Sequence, residues 1–175
     1  MDAAVTLADE SGLQGVTMRA LGHALAVEAM SLYNHVTSKD DLLDGMTDRV
    51  LGEIELPANQ DWRAASRRRL MSAHEVFLQH RWLCPLLSTR PGSSQAALRY
   101  REAGRGVLQD AGFPEGLIDS AWHTLEGYLH GFTLQRLNAE NEANASGVTA
   151  EFAFGLDLIL EGLVRRKAAP APRAP

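Results

Sequence analysis

Residues 17–39 read TMRALGHALAVEAMSLYNHVTSK, and the spacing of their apolar side chains decides how the rest of the chain is read. Thr17 is a good helix N-cap, and Met18, Leu21 and Leu25 follow it at helical intervals. After Ala26 and Val27, a second helix carries Leu32 and Val36 four apart. Two helices of about two turns each, joined by a short turn, make a helix-turn-helix. In that arrangement Leu21, Leu25, Leu32 and Val36 face inward and set the angle between the helices. Ala29, Met30, Tyr33 and Asn34 are left outward. The outward set has no long acidic side chain, which suits a helix that must enter a major groove about 12 Å wide and touch base edges.

Working outward, Ala4, Val5, Leu7 and Ala8 mark a helix that stops at Gly12. The sequence starts inside this helix, so a truncated first helix without a basic arm is expected. On the other side, Ser38-Lys39-Asp40-Asp41 has the form of a capping box with Asp in place of Glu. It opens a helix with Leu43, Met46, Val50 and Ile54 on one face, broken by Pro57-Ala58-Asn59. This gives a helix-turn-helix domain over residues 1–56. Beyond it a helix runs over 61–80, interrupted before Pro85. A loop follows at Arg90-Pro91-Gly92-Ser93, then a helix from Gln95 to Ala111 closed by Gly112. The longest helix begins at Pro114 with the stripe Ile118, Trp122, Leu125, Leu129 and Phe132. Asn138 to Thr149 reads as a loop, and the last helix repeats the stripe with Phe152, Leu156, Ile159 and Leu163. Residues 57–167 are therefore expected to form a larger domain, and Ala168 to Pro175 a disordered Ala-Pro tail. No period-2 run suggests a strand, so the expected fold is all-α.

The chain has 175 residues, 45% of them hydrophobic and 22% charged, which supports a folded core. One Cys excludes an internal disulfide framework, and no apolar run approaches the roughly 20 residues that span a bilayer. With no export signal visible, a cytoplasmic location is expected. The net charge of −5 argues against a nucleic-acid partner. Residues 1–56 are more acidic still, with Arg19, Lys39 and Arg49 against ten Asp and Glu. Positive potential is thus expected only at Arg19, Lys39 and helix N-termini.

Three segments, Gly15-Val16-Thr17-Met18-Arg19-Ala20-Leu21, Ser31-Leu32-Tyr33-Asn34-His35-Val36 and Ser38-Lys39-Asp40-Asp41-Leu42-Leu43, resemble the DNA-binding domain of the TetR family of bacterial transcription regulators. Leu87-Ser88-Thr89-Arg90-Pro91, Gly112-Phe113, Phe132-Thr133-Leu134 and Phe154-Gly155-Leu156-Asp157-Leu158-Ile159 resemble a tetracycline-repressor-like regulatory domain. The resemblance implies a regulator, most simply a repressor, that binds palindromic operator DNA as a homodimer and is released by a small-molecule effector. It implies backbone or base-edge contacts from Arg19 and Lys39, phosphate contacts from Thr17, Tyr33 and His35, and base reading by Ala29, Met30, Ser31 and Asn34. Asn34 suits adenine, and Met30 or Ala29 a thymine methyl.

The family turn commonly carries Gly where Ala26 stands, so strain of about 1 kcal/mol is expected there. Tetracycline repressors hold a magnesium–drug chelate through a His and an acidic residue. Leu86 and Ala139 occupy those positions here, so neither a metal, another cofactor nor tetracycline is expected. A small apolar effector lined by Trp82, Leu86, Leu87, Thr89, Trp122 and Phe132 is expected instead. The stripes Ile118, Leu125, Leu129 and Phe152, Leu156, Ile159, Leu163 are expected to pair with their copies at a dimer interface. One constellation competes: His123, Glu126 and His130 share a helix face and could bind a transition metal, as in an α-helical enzyme or metal-binding protein. No P-loop, nucleophile elbow, dinucleotide fingerprint or His-Glu-x-x-His accompanies them, so no enzyme is expected.

Overall fold

The computed structural model describes residues 1–57, 61–89, 94–138 and 145–168, and among these it is all-α. The helices are α1 (Asp2–Gly15), α2 (Met18–Leu25), α3 (Ala29–Leu32), α4 (Lys39–Leu51), α5 (Trp62–Gln79), α6 (Leu83–Thr89), α7 (Gln95–Asp110), α8 (Glu115–Asn138) and α9 (Ala145–Ala168). They group into two compact units. The first comprises Met1–Ile54 with Val76–Tyr100, and the second Glu55–Glu75 with Arg101–Pro175.

In the first unit, helix ends follow from local chemistry. Gly12 breaks the helical path inside α1 with φ 69° and ψ 173°. The Thr17 hydroxyl accepts from the Ala20 N–H at 3.1 Å and so caps α2. Ser38 Oγ accepts from the Asp41 N–H at 3.0 Å, capping α4. Asp41 reaches back to the Thr37 N–H (2.8 Å) and hydroxyl (3.0 Å) rather than to Ser38. Those Thr37 hydrogen bonds hold its carboxyl below the usual range. Val5, Ala8, Leu21, Leu32, Val36, Leu43, Met46 and Val50 are buried together as the core. Leu25 is not among them: it is 47% exposed, a correction to the inner face read from spacing. The helix turns away at Ala26 before Leu25 is covered. Pro85 sits in the first turn of α6, where its missing N–H costs nothing.

Ala26 is left-handed, with φ 54° and ψ 40°. Ala26→Gly is therefore expected to raise stability by about 0.5–1 kcal/mol, read by chemical denaturation. An unchanged or lowered midpoint would contradict strain at this turn.

In the second unit, α8 and α9 pack on one another. Ile118, Ala121, Trp122, Leu125, Leu129 and Thr133 of α8 are buried, as are Val148, Phe152, Leu156, Leu160 and Leu163 of α9. Of the residues expected at a dimer interface, Ile118, Leu125, Leu129, Phe152, Leu156 and Leu163 are buried within the chain and Ile159 is half-buried. The exposed apolar residues of α9 are instead Phe154 (69%), Leu158 (54%) and Val164. Residues Ala145 to Thr149, read as loop, are helical because Val148 extends the Phe152–Leu156 stripe one turn back. Gly112, with φ 74°, closes α7, and the Phe113 N–H bonds to the Leu108 carbonyl at 3.1 Å. The expected loop at 90–93, Ala139 and the tail from 169 onward lie outside the described residues.

Candidate DNA-binding surface and regulatory core

The turn between α2 and α3 is built on a close approach. A Cβ on Gly22 would stand 2.9 Å from the Val27 carbonyl oxygen and 3.2 Å from the Ala29 nitrogen. Only glycine lets the two helices meet this closely. The sequence reading did not single out Gly22; its signal was a residue without a side chain on the buried face of α2. After α3 the chain tightens: Tyr33, Asn34 and His35 N–H groups bond to carbonyls three residues back, at 3.3, 3.2 and 2.9 Å. The outward surface therefore spans residues 29–35.

Thr17, Arg19, Met30, Ser31, Tyr33, Asn34, His35 and Lys39 are all exposed, Met30 at 75% and Tyr33 at 51%, while Ala29 is half-buried. The exposed Met30 on α3 and Tyr33 just past its end form an apolar, hydroxyl-bearing surface suited to base edges and phosphate. The Ser31 hydroxyl donates to the Glu28 carbonyl at 2.7 Å, leaving its oxygen to accept. Arg49 is committed elsewhere: it bonds Asp2 and Glu53, each at 2.7 Å, and Asp2 first and then Glu53 hold its guanidinium above its ordinary pKa. The Lys39 charge stands in the first turn of α4.

Another polar cluster joins the helix-turn-helix to the segment following α5. His80 Nδ1 lies 2.9 Å from Asp9 of α1, and Nε2 lies 3.3 Å from Glu53, just past α4. The Trp82 indole N–H donates to Asp9 at 2.8 Å. Trp82, placed in the effector site by resemblance, is thus anchored to α1. Leu86 is buried and Leu87 half-buried. Thr89 is exposed, with its hydroxyl bonded to the Pro85 and Leu86 carbonyls of its own helix. Cys84 is buried, and burial pushes its thiol up to about 11.

Trp122 and Phe132 belong to the second unit. Arg69, only 4% exposed, donates to Glu126 at 2.8 Å, and its guanidinium stands 4.9 Å over the Trp122 ring. Gly104 lies beneath both, where a Cβ would collide with the indole. Glu126 also approaches His130 at 3.8 Å, while His123 is exposed. Burial lowers the His130 pKa and Glu126 partly opposes it. Among the described residues no group of three or more His, Cys, Asp or Glu side chains, these three included, is arranged to hold a metal ion.

Phe132 joins a ring cluster with Tyr128, Phe152 and His74. A half-open cavity of about 750 Å³ in this unit is lined by Leu56, Trp62, Ala65, Ala103, Val107 and Lys167 among others. None of the six expected effector-site residues lines it. No described helix is long and apolar enough to cross a membrane.

A helix-turn-helix followed by a larger helical domain is the architecture of a one-component regulator, and comparison with known proteins agrees. Residues 1–46 match the family described as bacterial regulatory proteins, tetR family, and residues 56–147 match the tetracyclin repressor-like C-terminal domain. The chain belongs to the TetR family. It is 36% identical to an HTH-type transcriptional regulator of Saccharopolyspora erythraea over 75% of this chain and 56% of that one. It is 32% identical to the HTH-type transcriptional repressor DrrR1 of Streptomyces coeruleorubidus over 87% and 58%. The chain therefore spans less than two thirds of the length of both relatives. Among solved structures it resembles BioQ with its double-stranded DNA operator, with a TM-score of 0.75, 26% identity, and 94% of each chain covered.

Proposed function

We propose that the protein is a transcriptional repressor that binds a palindromic operator as a homodimer in the cytoplasm and releases it when a small, mainly apolar effector enters the regulatory domain. The observation that carries this reading is the exposed surface of residues 29–35, where Met30, Tyr33 and Asn34 stand clear of the core. DrrR1 and the BioQ operator complex support it by likeness.

One such helix reads only a few base pairs, so two must be spaced about one DNA turn, roughly 34–36 Å. The surface best suited to hold two copies is the outer face of α8 and α9. On α9 it offers Phe154 and Leu158; on α8 it offers Ser120, Thr124, Gly127 and Gly131, small residues at helical spacing and all exposed. Large side chains of one copy can seat on the small-residue groove of the other. An effector that favours one spacing of the paired helices is then coupled reciprocally to DNA.

Selection from a random-site pool followed by gel shift tests the reading. A short palindrome is expected, with affinity falling about tenfold or more in Tyr33→Ala through loss of a phosphate contact in each half-site. Absent or sequence-indifferent binding would sink it. With Arg19 and Lys39 the exposed cations of the surface, the salt slope is expected to be shallow.

A further inference from the structure

We propose that His74 is the polar anchor of the effector site, and that the effector is a flat, mainly aromatic molecule presenting one neutral carbonyl oxygen to the imidazole Nε2–H. This rests on the regulatory reading above and names the ligand chemistry that reading leaves open. His74 projects from α5 and is fully buried. Its ring stacks on Phe152, centroids 4.1 Å apart at 14°, and meets the edge of Phe132 at 5.7 Å. Tyr128 stacks on the same Phe152 at 5.1 Å. Among the described side chains, His74 Nε2 is a buried polar atom without a hydrogen-bond partner.

Nδ1 lies 2.8 Å from the hydroxyl of Thr133, which is itself fully buried. If Nδ1 carried the proton it would donate to Thr133, and the hydroxyl hydrogen would in turn need an acceptor. Donation from Thr133 to Nδ1 satisfies both groups and puts the ring proton on Nε2. Burial pushes the imidazole down to about 4, so the ring is neutral at physiological pH. Nε2–H is then a neutral donor beside aromatic rings and unmatched among the described residues. Such a group destabilises the unliganded fold and discriminates strongly for a ligand carrying the missing acceptor. A carboxylate would lose its hydration for a neutral partner, which favours a carbonyl. Tyr128 and Phe132 are half-buried, and the Tyr128 hydroxyl donates to the Phe152 carbonyl at 3.0 Å, so ligand entry requires these rings to swing aside and that hydrogen bond to break. The aromatic body of the ligand then stacks where they stood.

Calorimetric titration of the full chain, without DNA, with methyl naphthyl ketone, ethylnaphthalene and naphthoate tests the assignment. The ketone is expected to bind at least about tenfold more tightly than ethylnaphthalene, the size of one buried hydrogen bond. His74→Phe keeps a ring against Phe152 and removes the donor. It should erase the preference, and far-ultraviolet circular dichroism at the titration temperature checks that the fold is kept although Thr133 loses its buried partner. His74→Gln, whose amide also donates, should retain part of it. Equal binding of ketone and hydrocarbon, no binding of either, or a preference surviving in His74→Phe would overturn the proposal. Preference for naphthoate would overturn the neutral acceptor. Because DNA is absent from these titrations, failure of operator binding would count against the repressor reading alone.

Discussion

Replacing Phe154 and Leu158 together by Asp is expected to convert the protein to a monomer and to weaken operator binding at least about 100-fold. Both side chains are largely exposed in the isolated chain, at 69% and 54%, so the substitutions remove no core contact. In a two-fold dimer each counts twice, and burying a Phe or Leu contributes roughly 1.5–3 kcal/mol. Four such side chains carry several kcal/mol, and the substituted carboxylates would face Glu151 and Glu161, which are exposed on the same helix. A monomer engages one half-site and loses the gain from binding the second in tandem. Sedimentation at micromolar concentration, circular dichroism and gel shift on the selected palindrome read mass, helix content and affinity. A dimer of parental affinity would remove these residues from the interface. A monomer with full operator affinity would break the link between pairing and recognition.

Glu126→Ala is expected to lower stability by about 3 kcal/mol, the low end for breaking a buried ion pair. Arg69 is 4% and Glu126 14% exposed, and the guanidinium is held between the carboxylate and the Trp122 ring. Removing the carboxylate leaves the guanidinium buried without its 2.8 Å partner. For a chain of this size the melting temperature should fall by about 6–12 °C. The pair Arg69→Met with Glu126→Leu should recover most of the loss, because apolar side chains of similar volume avoid burying a charge. A fall of less than about 2 °C in Glu126→Ala would show that solvent already screens the pair.

Much of the fold was legible because its signals are local. Thr17, Ser38 and Gly112 act on backbone groups within four residues, and each does so here as its residue type suggests. Gly12 interrupts α1 where the apolar pattern stopped. The exposed side of residues 29–35 was also readable, since Leu32 and Val36 mark which side of this segment is buried. The reading of α8 and α9 shows where such inference ends. Periodicity identified Leu125, Leu129, Phe152 and Leu156 as a buried face but not what buries it. Packing of the two helices on each other within one chain used that face and left Phe154 and Leu158 outside.

The acidic balance of residues 1–56 says little about the proposed surface for a related reason: it sums charges regardless of where they point. Arg49 is tied to Asp2 and Glu53, whereas Arg19 and Lys39 are exposed on the α2–α4 surface. Gly22, which permits the approach of α2 to α3, carries no pattern of its own; the meaning of its missing side chain appears only when Val27 and Ala29 arrive beside it.

Most of the helices, the caps at Thr17 and Ser38, the helix-turn-helix and the family resemblance were legible in the sequence. These follow from residue spacing and short-range hydrogen bonds. Only the tertiary structure decided which apolar stripe is internal, which cations remain available, and that His74 faces Thr133 and Phe152 with Nε2 unmatched. Those facts depend on side chains brought together across more than 50 positions, from α5 to α8 and α9, and no local periodicity encodes such a meeting.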